Sequence, residues 1–187
     1  ITDLSDELTV KRLELLKEII PRLSRVALLS NPEFPATAKI ERRVREAART
    51  LGITVLPLHA KDRAALALAV DSLEQLRAGA LLIGGDALFT SNARQIIERA
   101  TELRVPVAYY WPGTAEMGAV FSHQADIGKN YERAAYYVHR ILKGAKPSDL
   151  PIEQPARYEL VLNRKAAMAL GISIPSTVIL RADRVIE

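Results

Sequence analysis

Short apolar runs and stretches with an apolar stripe at helical spacing take turns along the first 110 residues, and this alternation limits the fold more than any other feature. Arg25-Val26-Ala27-Leu28-Leu29, Ile53 to Leu58, Ala80 to Ile83 and Val105 to Tyr110 read as strands. Between them lie helical segments. The clearest is Ile40, Val44, Ala47, Ala48 and Leu51, which share one face and are followed by Gly52 as a left-handed stop. Leu66, Val70, Leu73 and Leu76 mark another helix, and Ile96, Ile97, Ala100 and Leu103 a third, with Ser91 as its expected cap. An opening helix carries Leu13, Leu16 and Ile20, with Ser5 as cap, Asp6 and Glu7 in its first turn and Pro21 as its end. Strands that are apolar throughout, separated by amphipathic helices, require a parallel sheet covered on both faces. The expected fold class is therefore α/β, a doubly wound parallel sheet with right-handed crossovers.

After Trp111 the rhythm changes. Gly118 to Gln124 reads as a strand with no helix before it, and Tyr131, Ala134, Ala135, Val138, Ile141 and Leu142 form a helix closed by Gly144. A connector with Pro147, Pro151 and Pro155 follows, then an alternating strand from Tyr158 to Leu162 and a short helix capped by Asn163 and stopped by Gly171. An extended tail is expected at Val178, Ile179 and Leu180. The pattern is that of a chain passing between two bodies and returning.

Several function classes find no support in the residues. The chain has no cysteine, which removes disulfides, thiol catalysis and thiolate metal sites. His59, His123 and His139 lack ligand spacing, so no metal role is expected. The first strand ends in Ser30-Asn31-Pro32-Glu33, without the glycines of a dinucleotide site, and neither a P-loop nor a G-x-S-x-G elbow occurs. No enzyme, no cofactor and no nucleic-acid partner is expected. The net charge of +4 is a weak bias, and the basic stretch Arg42, Arg43, Arg45 and Arg49 is interleaved with Glu41 and Glu46 as on a solvated helix face. No apolar run approaches the ~20 residues of a membrane span.

Ligands of open α/β sheets sit beyond the carboxyl ends of the strands. Those ends here are Ser30-Asn31, Gly84-Gly85-Asp86 and Tyr109-Tyr110-Trp111. Ser30 and Asn31 offer a hydroxyl and an amide suited to a carboxylate, and Asp86 offers an acceptor. The helix start at Ser91 offers N–H donors, and Tyr109 and Trp111 offer flat faces for a ring or a cation. Tyr110 alternates to the other side of its strand and reads as packing. Asn31 and Asp86 also suit turns, and Asp126 suits a helix cap.

Taken in order, a set of segments carries a resemblance: Lys11 to Glu18 with Pro21, Arg25 to Leu28 leading to Asn31-Pro32, Glu46 to Gly52, and Gly79 to Leu82. The most specific runs from Ile141-Leu142-Lys143-Gly144-Ala145-Lys146-Pro147 through Leu150-Pro151-Ile152-Glu153-Gln154-Pro155, and on through Tyr158 to Asn163, Ala169 to Gly171 and Leu180 to Asp183. The chain resembles the ABC-transporter substrate-binding family associated with tryptophan or tyrosine uptake, a branch of the type I periplasmic binding proteins.

That resemblance implies two α/β lobes joined by crossing strands, with the ligand between them. It implies that most of the first lobe is absent from this chain. Residues 4–117 with 158–187 would form the second lobe, and 118–157 would be the crossing strand, helix and connector associated with the first. The helix within 127–144 would lack its native sheet, so self-association or disorder is expected there through Tyr131, Ala135, Val138 and Leu142. The implied ligand-binding set is Ser30, Asn31, Asp86, Tyr109, Trp111 and Asp126, with Asp126 gripping an α-amino group. Lys129 stands where relatives often carry a second acid, which weakens that grip and favours a ligand with a carboxylate and no amine. The implied function is a small-molecule receptor that delivers its ligand to a membrane permease and ATPase. The implied location is the periplasm, or the cell exterior on a lipid anchor, after removal of a signal peptide. The same fold also serves as the sensing domain of repressors and signalling receptors, which is the alternative reading.

Overall fold

A computed structural model describes residues 5–155 and 157–187, the side chains of Ser5 and Asp6 excepted. Helix α1 (Ser5–Ile19) precedes strand β1 (Arg25–Ser30), followed by α2 (Thr37–Thr50), β2 (Thr54–His59), α3 (Arg63–Asp71) and β3 (Ala80–Ile83). Two helices, α4 (Ala87–Ser91) and α5 (Ala93–Glu102), lead to β4 (Val107–Tyr109) and then directly to β5 (Phe121–Ala125). The remainder is α6 (Ile127–Leu142), a 3-10 turn at Pro147–Asp149, β6 (Tyr158–Asn163), α7 (Arg164–Ala169), α8 (Ser176–Ile179) and β7 (Arg184–Ile186).

The strands form one seven-stranded sheet in the order β2-β1-β3-β4-β5-β6-β7. The first five run parallel, β6 is antiparallel to β5, and β7 is parallel to β6. The doubly wound α/β fold expected from the alternation is therefore present. Successive residues of a strand point to opposite faces, so each apolar strand feeds two cores at once. Val26, Leu28, Ala80, Leu82 and Ala108 pack under α1 and α2 with Leu13, Leu16, Ile40 and Val44. Ala27, Leu29, Leu81, Ile83, Val107 and Tyr109 pack against α3 and α5 with Leu66, Val70, Ile96 and Ile97.

Local chemistry sets the helix ends. Asp62 caps α3 by accepting from the Ala65 N–H at 2.8 Å, and Asn163 caps α7 by accepting from Ala166 at 2.7 Å. Gly52 follows α2 with φ +66°, a left-handed turn that a side chain would strain. Asp62→Ala should lower stability by about 1 kcal/mol, read as a shift in the urea midpoint with an unchanged slope; a change of slope instead would mean that the cap organises more than its own helix.

Two sequence expectations need correction. Ser91 does not open a helix but closes α4, because Asp86 supplies the cap and Asn92 interrupts the run by bonding its amide to the Leu88 carbonyl at 2.7 Å. Val178 and Ile179 are not extended: Pro175 starts a helical turn there, and the last strand is Arg184–Ile186. Strand β5, the expected crossing segment, pairs with β4 on one side and β6 on the other. The cap expected from Ser5 lies outside the described side chains.

Helix α6 stands apart: it has an apolar stripe but no buried residue. Tyr131, Val138, Ile141 and Leu142 are all exposed. The helix is tied to the connector, where Arg133 pairs with Glu153 and the Tyr137 hydroxyl donates to the Pro151 carbonyl at 2.7 Å.

Candidate functional site

In a parallel sheet of order 2-1-3-4-5 the connections leave β1 and β3 in opposite directions, which opens a crevice beyond their carboxyl ends. Asn31 and Asp86 occupy that crevice. Asn31 Nδ2 donates to Asp86 Oδ2 at 2.9 Å, and the other Asp86 oxygen accepts from the Leu88 N–H at 2.8 Å. Asn31 Oδ1 accepts from the Glu33 N–H at 3.0 Å. Both side chains are thus committed to shaping the loops. Gly84 makes the approach possible, since a Cβ there would lie 2.9 Å from the Leu29 carbonyl oxygen.

Ser30 is buried and turns away from the crevice. Its hydroxyl donates to Glu41 Oε1 at 2.7 Å, and the same carboxylate takes His59 Nε2 at 2.7 Å and Arg45 at 2.6 Å. Burial pushes the Glu41 carboxyl up, but the bonds from Ser30 and His59 and the charges of His59 and Arg45 outweigh it and hold the carboxyl below its ordinary value. The cluster ties the ends of β1 and β2 to α2.

The two tyrosines exchange the roles expected of them. Tyr109 is 0 % exposed and sits in the core under α5, with its hydroxyl donating to the Phe89 carbonyl at 2.6 Å. Burial pushes its phenol well above the ordinary range. Val107 and Tyr109 face the α3 and α5 side. Tyr110 lines the cleft instead. Its hydroxyl donates to the Asp86 carbonyl at 2.6 Å, and it also contacts Thr90 Oγ1 and the Asp86 N–H. Trp111, 40 % exposed, meets Tyr110 edge to face with centroids 6.5 Å apart.

Tyr110, Trp111 and Gly85 line two adjoining hollows. The larger, about 440 Å³, also touches Phe34, Ile40, Asp86, Thr90 and Ser91. The smaller, about 250 Å³, is lined further by Leu8, Arg12, Gln124, Ala125, Ile127 and Asn130. Both open beyond the carboxyl ends of the parallel strands. Other hollows lie elsewhere, but the one between α3 and α5, about 260 Å³, involves residues such as Asp71 and Arg99 already tied in surface ion pairs.

Arg12 was not foreseen as a site residue. It lies on the buried side of α1, beside Leu13 and Leu16, and is 2 % exposed. Its guanidinium donates to Thr9 Oγ1 at 2.7 Å and to the His123 carbonyl at 3.4 Å, and stands 5.7 Å from the Tyr110 ring centre. Burial lowers it to about 9, with Tyr110 acting in the opposite sense, so it remains a cation at neutral pH. Nothing in the local sequence marks it, because its partner His123 is 111 residues away.

Asp126 caps α6 by accepting from the Lys129 N–H at 3.0 Å, and its own N–H donates to the Arg157 carbonyl at 3.0 Å. The Lys129 ammonium is held by Glu132 at 2.8 Å rather than by Asp126. Among the described residues no group of histidine and carboxylate side chains is arranged to hold a metal. No described helix is long and apolar enough to cross a membrane.

Similar architectures are known. The chain superposes on a Streptococcus pneumoniae ABC domain in complex with L-Trp with a TM-score of 0.86 at 22 % identity, over 96 % of this chain and 62 % of that one. A conserved domain protein from Vibrio cholerae gives 0.85 at 26 % identity, over 95 % and 60 %. A ligand-free, open substrate binding protein with adhesive properties from Clostridium difficile gives 0.68 at 24 % identity, over 94 % and 59 %. The chain thus spans about three fifths of the length of these structures. Comparison with curated protein sequences gives no match. The family model described as ABC transporter substrate binding protein matches residues 1–186, and the chain belongs to that family.

Proposed function

We propose that this chain forms the ligand-gripping face of a solute receptor that serves an ABC import system, and that its ligand is an amino acid or a related carboxylate. The observation that carries this reading is the pair of hollows at the carboxyl ends of the parallel strands, walled by Tyr110 and Trp111 in a chain of this family. Pockets of this kind combine apolar walls with a few placed polar groups, which suits a small organic solute. The L-Trp held by the structurally similar Streptococcus pneumoniae domain makes an aromatic amino acid the first candidate.

Residues 4–117 and 158–187 act as one lobe, and 118–157 carry the chain from it, through the crossing strand β5, to a second lobe that closes over the ligand. The exposed apolar stripe of α6 supports this division, since Tyr131, Val138, Ile141 and Leu142 have no cover among the described residues. The receptor would work outside the cytoplasmic membrane, with a permease and an ATPase as partners.

A thermal-shift screen of the full-length protein against amino acids, aromatic acids and small organic acids tests the reading. A ligand present at 100 times its Kd should stabilise the folded state by about 2.7 kcal/mol, a shift of several degrees. Trp111→Ala should reduce that shift, and Asp126→Ala should reduce it only if an amino group is gripped. A screen with no stabilising solute would sink the receptor reading.

A further inference from the structure

Many arginines of this chain are held by carboxylates, as Arg45 is by Glu41, Arg99 by Asp71 and Arg164 by Glu187. Six exposed arginines have no hydrogen-bond or ion-pair partner among the described residues: Arg22, Arg25, Arg49, Arg63, Arg77 and Arg104. Five of these six lie at the amino-terminal edge of the parallel sheet. Arg25 opens β1, Arg49 is in the last turn of α2 before β2, and Arg22, Arg77 and Arg104 stand three residues ahead of β1, β3 and β4. Ladder bonds align these ends: the Thr54 N–H donates to the Ser24 carbonyl at 2.8 Å, Gly79 to Arg25 at 2.9 Å and Leu81 to Pro106 at 2.8 Å. With strands about 4.8 Å apart, the amino ends of β2, β1, β3 and β4 span about 15 Å. Glu74 is an exposed carboxylate among them, while Asp71 and Glu102 are tied to Arg99. Arg63 lies at the other end of the strands, beyond β2.

The backbone gives a second, independent sign. Arg77 and Arg104, with φ of +49° and +57°, are the residues other than glycine that adopt left-handed backbone among those described. Each closes a turn, the Arg77 N–H donating to the Glu74 carbonyl and the Arg104 N–H to the Thr101 carbonyl, both at 2.9 Å. Glycine or asparagine takes such a position with little strain. A cation near a helix C-terminus is favoured by the macrodipole, which accounts for Arg49. The macrodipole does not require the one position of the turn where a long side chain is strained. Strain kept twice on one edge, each time for a guanidinium without a partner among the described residues, points to a partner outside the chain.

The character of the edge selects that partner. Protein interfaces have an apolar centre, and single-stranded nucleic acid is held by stacked rings. The segments that carry these arginines offer neither: Leu23, Ile53 and Val105 are buried, and Leu51, Leu76 and Leu103 are half-buried. Guanidinium forks match phosphate oxygens. For a receptor working outside the cytoplasmic membrane, the extended phosphate array at hand is the headgroup layer of the bilayer. We propose that the amino-terminal edge of the sheet is a docking surface for anionic phospholipid headgroups, engaged through Arg22, Arg25, Arg49, Arg77 and Arg104. The choice of lipid as the source of phosphate rests on the receptor reading above. The edge lies at the opposite end of the strands from the hollows, so a solute can be held while the edge is engaged.

Flotation of the full-length protein with vesicles tests the assignment. Vesicles of phosphatidylglycerol and phosphatidylcholine in about equal parts should bind at least about tenfold more tightly than pure phosphatidylcholine. Sodium chloride at about 1 M, where the Debye length is about 3 Å, should abolish the difference. Arg77→Asn combined with Arg104→Asn should weaken binding to the anionic vesicles by roughly 20-fold, about fivefold per arginine. The urea midpoint should not fall, because asparagine accepts the left-handed turn. Arg63→Asn removes the same charge from the opposite end and should change binding by less than about twofold. Equal binding to both kinds of vesicle, a double variant that binds like the native protein, or an Arg63→Asn loss as large as that of the double variant would each overturn the assignment. Tighter binding to poly-glutamate or to duplex DNA than to the anionic vesicles would also overturn it, giving the edge to another class of partner. The thermal-shift screen for solutes is read independently: vesicle binding without any solute leaves this surface standing and removes the receptor reading, and a bound solute without vesicle binding does the reverse.

Discussion

Phe89→Ala should lower the unfolding free energy by about 3–5 kcal/mol, the range for truncating a fully buried aromatic side chain. Phe89 is 0 % exposed and lies on α4, the five-residue helix that follows Asp86. Its ring fills the core beneath α5, while its carbonyl receives the Tyr109 hydroxyl. The mutation therefore opens a cavity and loosens the loop that carries one wall of the larger hollow. Leu68→Ala is the control: Leu68 is 73 % exposed on α3, and its removal should change stability by less than about 0.5 kcal/mol. Chemical denaturation of the two variants decides the matter, and a Phe89→Ala protein as stable as the control would mean that α4 is not part of the cooperative core.

Acidification should destabilise the fold through His123 before the carboxylates titrate. Burial pushes this imidazole down to about 4, helped by the positive charges of Arg12 and Lys11 and opposed by Asp183. Its Nδ1 has no partner among the described residues, and its ring packs 6.3 Å from that of Tyr158. The unfolded chain binds a proton near pH 6.5 and the folded chain only near pH 4, so between those values the unfolded state holds more protons and stability falls as pH falls. The loss should reach about 2–3 kcal/mol by pH 4 and be absent above pH 7. Glu41 and Asp183, both held below their ordinary values, act in a lower window: their contribution is present above the ordinary carboxylate range and is lost further into acid. Urea unfolding at pH 7 and pH 4.5 for the native protein and His123→Gln separates the two, and parallel losses in both proteins would exclude His123.

How much was legible follows from how local the signal is. The runs Val26 to Leu29 and Ala80 to Ile83 are buried on both faces, so nearly every residue is apolar and the strands announce themselves. Helix α2 was equally plain, because one face alone meets the sheet. Strand β4 is shorter than Val105 to Tyr110 suggests, because Pro106 has no N–H to give the ladder. At Val178 to Leu180 three apolar residues fix no period, and Pro175 decides for a helical turn.

Site residues were harder, for a physical reason. Alternation along β4 states that Tyr109 and Tyr110 differ in environment but not which of them faces the cleft. That sign is set by α5, which packs on the Tyr109 side. Arg12 belongs to the same class: a cation within an apolar helix stripe acquires meaning only where β5 passes it at His123. Ser30 and Asn31 were rightly placed at a strand end, but their partners Glu41 and Asp86 are 11 and 55 residues away and absorb the polar groups that a ligand would need.

The pairing of β5 with β6 has a mechanical meaning. Ala125 lies opposite Tyr158, and the next rung joins the Asp126 N–H to the Arg157 carbonyl at 3.0 Å. The chain therefore leaves the sheet and comes back to it at a single point, on a ribbon two strands wide. A twist applied to one strand of that ribbon is handed at once to the other.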